Sequence, residues 1–128
     1  MNRILLHAFS ALLALTLAGC VSLNTTAVTI TRVVDSMMQD WAKLSVQGKT
    51  TQEIDAKVMQ AHEVYRRAAG VAYQALSAYA LNADKNESRA ALESVRSAAI
   101  DLLDAFAESV APERAAKYYL QLRKSKSL

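Results

Sequence analysis

The chain reads as all-α: an antiparallel three-helix bundle with a short fourth C-terminal helix. Three observations predict this. Apolar residues recur at three- and four-residue spacing along three long segments and one short one. Breakers are scarce, with three glycines and one proline in 128 residues, and Gly48 and Pro112 fall between periodic segments. The joints are short, which forces consecutive helices to run antiparallel.

The first helix is expected from about Thr26 to Val46. Ile30, Val34, Met37, Trp41 and Leu44 make its stripe, and Val33 and Met38 broaden it. Gly48 stops it, since glycine takes the left-handed conformation that ends many helices. The second helix starts at Thr50-Thr51-Gln52-Glu53, which reads as a capping box with Thr50 as the cap. Ile54, Val58, Ala61, Tyr65, Ala68, Ala72, Ala75 and Tyr79 then follow at alternating four and three, a sustained heptad seam. Ala69, Tyr73, Leu76 and Ala80 form a second stripe beside it. Two stripes suit a central helix with two neighbours. Gly70, among small residues, suits close helix approach. Asn82 to Asn86 is the turn, with Asp84 or Asn86 as the next cap. The third helix carries Leu92, Val95, Ala99, Leu102 and Phe106, widened by Ala91, Ala98, Leu103 and Val110. Pro112 opens the fourth, because the first helical turn needs no proline N–H. Ala115, Tyr119 and Leu122 give it an apolar stripe.

The N-terminus carries a different pattern. Met1-Asn2-Arg3 is a positive start, and Ile4 to Leu17 is an apolar run broken only by His7, Ser10 and Thr16. The run is short for a membrane span and reads as a secretion signal. Leu17-Ala18-Gly19-Cys20 then ends in the single cysteine. These four residues resemble the lipobox of bacterial lipoproteins. The resemblance implies cleavage between Gly19 and Cys20, diacylglycerol on the Cys20 thiol and a further acyl chain on the freed amine. One acyl chain holds a protein to a membrane only marginally, and two or more hold it stably. By the same resemblance, Val21 in place of an aspartate implies the periplasmic face of the outer membrane of a Gram-negative host. The expected organisation is a signal over 1–19, an acylated N-terminus and short tether over 20–27, a helical bundle over 28–124 and a basic tail over 125–128. The alanine-rich heptads also resemble those of the major outer-membrane (Braun-type) lipoproteins. The final Lys126-Ser127-Leu128 departs from their terminal lysine, which leaves covalent attachment to the cell wall without a matching residue.

Function is less legible. A formal charge of +3 without a strong basic cluster argues against nucleic acid. One cysteine offers no disulfide within the chain. His62 is the only histidine beyond the signal, and it reads as a flank residue beside Glu63 or Arg66. One histidine and an acylated cysteine make no zinc set. Asp101, Asp104 and Glu108 share a helix face and read as a solvated acidic face, not a metal site. No nucleophile elbow, phosphate loop or triad spacing occurs. The expectation is therefore no enzyme, no metal and no cofactor beyond the covalent lipid. Trp41, Tyr65 and Tyr79 read as core. Candidate partner-binding residues are Arg66, Arg67, Tyr73, Tyr118, Tyr119, Arg123 and Lys124, because amphipathic aromatics and arginines concentrate at interfaces. The expected role is a lipid-anchored interaction module that binds an envelope protein, such as an exclusion or assembly factor. The alternative is a self-associating spacer that touches the cell wall without a covalent bond.

Overall fold

Residues 21–79 and 85–124 are described by the computed structural model. They form α1 (Val21–Val46), α2 (Gln52–Tyr79), α3 (Lys85–Phe106), a 3-10 turn (Ala107–Ser109) and α4 (Pro112–Lys124). Among the described residues there is no strand, and the architecture is the all-α bundle with a short fourth helix. The segment 1–19, Cys20, residues 80–84 (with Ala80, Asn82 and Asp84) and the tail 125–128 lie outside the described residues, as does the side chain of Tyr79. No helix of the described residues is long and apolar enough to cross a membrane.

Gly48 ends α1 as expected. It takes φ +68°, the Gly48 N–H donates to Ser45 O and the Lys49 N–H to Leu44 O. This pair of bonds is the Schellman closure, which satisfies carbonyls the helix leaves open. The start of α2 is shifted by one residue from the capping-box reading. Thr51, not Thr50, caps it: the Ile54 N–H donates to Thr51 Oγ1 at 3.1 Å. Glu53 does not reach back but pairs forward with Lys57 at 3.1 Å. Thr50 is drawn away because its hydroxyl donates to Asp55 at 2.7 Å.

Pro112 opens α4, and the Ala111 carbonyl accepts the first N–H groups of that helix, from Arg114 and Ala115. The third helix ends earlier than its stripe suggests. Its α portion stops at Phe106, and the 3-10 turn carries the chain to Val110, which is extended and buried. Asn86 lies inside the first turn of α3, not at its cap.

Two expectations about packing need correction. The central helix is α3, not α2. Ala91, Leu92, Val95, Ala98, Ala99, Leu102, Leu103 and Phe106 are all buried, so α3 has two covered faces. It packs against α2, α1 and α4. On α2 the buried set is Val58, Tyr65 and Ala72, one heptad apart. Its second stripe is only half covered, and Tyr73 is 74% exposed. Gly70 is not at a close approach either: a Cβ added there meets nothing within 4 Å.

The second correction concerns the tether. α1 begins at Val21, and Leu23 and Thr26 are buried in the bundle. Residues 21–27 are thus helix, not a free connector. The apolar spacing that starts at Leu23 and Ile30 (one heptad apart) already commits this stretch to the core.

Candidate functional site

α1 and α2 meet at the Gly48 turn and again where the buried Tyr65 hydroxyl meets the Thr31 side chain. Burial raises the Tyr65 pKa above its ordinary value, opposed by the Thr31 bond and reinforced by the Asp35 charge. Beyond this crossing the two helices leave a groove of 520 Å³. Ala27, Val28, Thr31 and Arg32 form one wall, and Ala69, Ala72, Tyr73 and Leu76 the other. Leu92 and Val95 of α3 lie beneath. Small residues on the α2 wall make the space, since alanine leaves room that a larger side chain would fill.

The lining is apolar apart from Thr31, Arg32 and the Tyr73 hydroxyl. The Thr31 hydroxyl already donates to Ala27 O at 2.9 Å. Among the described residues no histidine, cysteine or carboxylate lines the groove. The apolar lining offers contact to an apolar ligand without polar demands.

The candidate surface residues fall into two groups that α3 separates. Arg66, Arg67 and Tyr73 are on α2. Arg66 and Arg67 both face water and bracket Glu63, at 4.0 Å and 3.4 Å. Exposed pairs of this kind stabilise little, so the guanidinium groups remain available to an acidic partner. Arg66 and Tyr73 are one heptad apart and share the helix row of Ala69. His62 is half-buried and stacks on the Tyr65 ring with centroids 6.2 Å apart.

The other group is on α4, and there the reading of Tyr118 as a surface residue is overturned. Tyr118 is 5% exposed, and its hydroxyl donates to Asp40 of α1. Arg114 donates to the same carboxylate, through Nε and, at 2.8 Å, Nη2. It also lies over the Tyr118 ring, 5.8 Å from the centroid. Burial would raise the Asp40 pKa, but the bonds from Arg114 and Tyr118 and the charges of Arg114 and Lys43 outweigh it and hold it below the carboxylate range. Burial and the bond to Asp40 push Tyr118 up in turn. Tyr119 is half-buried, gives its hydroxyl to Asp104 and has Arg123 over its ring at 5.8 Å. Burial first, then Asp104, push it up to about 12. Lys124 is exposed at the last turn of α4.

Asp55 is a second hub that the spacing of residues did not reveal. It accepts Thr50 Oγ1 at 2.7 Å, Trp41 Nε1 at 2.8 Å and Ser45 Oγ at 3.1 Å. These bonds, that from Thr50 foremost, hold its carboxyl below the ordinary range. Trp41 is accordingly half-buried at the core's edge, with its indole N–H satisfied. Asp101 and Glu108 stay exposed. Among the described residues no group of three or more His, Cys, Asp or Glu side chains comes together as a metal site.

Fold and groove together define an all-α bundle with an apolar furrow at one end. Comparison with family models, curated proteins and solved structures finds no match to this chain.

Proposed function

We propose that this chain is a lipid-anchored, non-enzymatic interaction module at the periplasmic face of the outer membrane. The observation that carries the reading is Leu17-Ala18-Gly19-Cys20 behind a short apolar run. Helix α1 already includes Val21, the first described residue, which supports a bundle held against the membrane without a long connector. The exposed row of Arg66 and Tyr73 supports a protein partner, because anchoring confines the search for that partner to two dimensions and raises its effective concentration.

Mass spectrometry of the N-terminal peptide from cells tests the anchor. The expected product begins at Cys20 and carries a diacylglyceryl group and an amide-linked acyl chain. A free Cys20 thiol, or a chain that starts elsewhere, overturns the reading. Photo-crosslinking from positions 67 and 73 tests the partner, with a discrete envelope protein as the expected adduct. The spacer reading draws on Val64 and Val71, exposed and one heptad apart on α2. It gains if the adducts are only to a second copy or to cell-wall material.

A further inference from the structure

The groove lies at the Cys20 end of the bundle. Ala27 and Arg32 are about 9 Å and 16 Å along α1 from Val21, at about 1.5 Å per residue. The other wall belongs to the last two turns and more of α2, and the floor to the first half of α3. An acyl chain that spans one leaflet is about 15 Å long, half of the roughly 30 Å hydrocarbon core. A chain attached at Cys20 and folded back along α1 thus passes Ala27 and Val28 and reaches most of the way along the furrow.

Volume and chemistry agree. A methylene takes about the room of a water molecule, about 30 Å³, so the space holds on the order of fifteen of them. That is one long fatty-acyl chain. An α-helix is about 10 Å across with its side chains, and a furrow of 520 Å³ admits one only by parting α1 from α2. Ala27, Val28, Ala69, Ala72, Leu76 and Leu92 offer contact without polar demands, as a saturated chain requires. Moving from bilayer to groove costs such a chain little, because both surroundings are apolar. The groove lining meanwhile leaves water, which is favourable. Three chains on Cys20 leave two in the membrane, and two suffice for stable anchoring.

We propose that the groove between α1 and α2 seats one fatty-acyl chain of the lipid carried by Cys20 of the same molecule. The inference rests on the acylation proposed above, and one experiment separates the two. Cells that make the full chain are fed a palmitate analogue bearing a diazirine, illuminated, and the purified protein is digested with trypsin. Expected are the analogue on the Cys20 peptide and light-driven adducts from it to peptides 68–85 and 90–96, which hold the far wall and the floor. Label on Cys20 with adducts only to phospholipid overturns the groove inference and leaves the anchor standing. Adducts found only in a covalent dimer overturn it in favour of a second copy's lipid. A Cys20 peptide without label overturns both. The variant Ala69→Trp fills the furrow from its rim with a bulky ring, and adduct yield is expected to fall on the order of tenfold with Cys20 still labelled. An unchanged yield in that variant sinks the proposal.

Discussion

The two ends of the bundle are built on different physics. At the Gly48 and Pro112 end, two carboxylates tie three helices. Asp40 joins α1 to α4 through Arg114 and Tyr118, and Asp55 joins α2 to α1 through Trp41 and Ser45. At the Cys20 end the described residues instead line a groove with small and apolar side chains. Ser88 donates to Ala75 O at 3.1 Å and holds α3 close to α2, while α1 stands away and leaves the groove. Charged and bifurcated bonds fix helices at set distances and angles. A wall of alanine sets no distance, so one end is closed by geometry and the other stays open to an apolar occupant.

Core truncation gives the largest expected difference between the ends. Phe106 is buried at the braced end, where neighbours cannot collapse inward. Phe106→Ala should cost about 3–5 kcal/mol. Leu92 is as buried but lines the groove, where α1 has room to shift. Leu92→Ala should fall near the low end of its class, about 2–3 kcal/mol. Urea unfolding of both variants checks the order, and equal losses would mean that the furrow is not soft.

Next in size is the tie itself. Asp40→Asn keeps the shape but removes the charge that Arg114 and Tyr118 serve, and should cost about 1–2 kcal/mol. The loss should show in hydrogen exchange as faster amides in α4, with those of α2 beside the groove unchanged. Uniform loosening of all helices would deny that Asp40 braces one end.

Acid probes both carboxylates together. Asp40 and Asp55 have folded values below 3.8, so their contribution is complete above pH 3.8 and is lost as the pH falls through the lower folded values. Thermal unfolding should therefore be flat near neutrality and drop on acidification below that point, less steeply in Asp40→Asn. Alkali acts through Tyr119 in the opposite sense. Its value rises from 10.0 to about 12, so the neutral hydroxyl stabilises fully below pH 10 and that contribution is lost as the pH climbs to about 12. Tyr119→Phe should remove that part of the alkaline loss.

The glycines give the smallest effects, of opposite sign. Gly48 has φ +68°, so Gly48→Ala should destabilise by about 1 kcal/mol. Gly70 sits inside a helix with open space about its Cα, and Gly70→Ala should stabilise by about 0.5–1 kcal/mol. A loss at position 70 would reveal a requirement for glycine that the packing does not explain.

Much of the α-helical skeleton was legible because its signals are local. Gly48, Pro112 and the periodic stripes act within a few residues, and each sits where its chemistry requires. The capping box failed by one residue because Asp55 competes for Thr50, and that competition involves Trp41 from another helix. Tyr118 was misplaced for a related reason. Its neighbour Tyr119 fits the apolar stripe, yet Tyr118 is the one aimed at Asp40, 78 positions earlier.

By itself the sequence determined the helical class, the stop at Gly48, the start at Pro112 and the lipobox-like Leu17-Ala18-Gly19-Cys20, since backbone propensity and short motifs need no distant partner. Tertiary structure alone decided which helix is central, which carboxylates brace the bundle and where the groove opens. A stripe shows that a face is apolar, but not which neighbour covers it or how completely. That depends on how side chains from four helices share one interior.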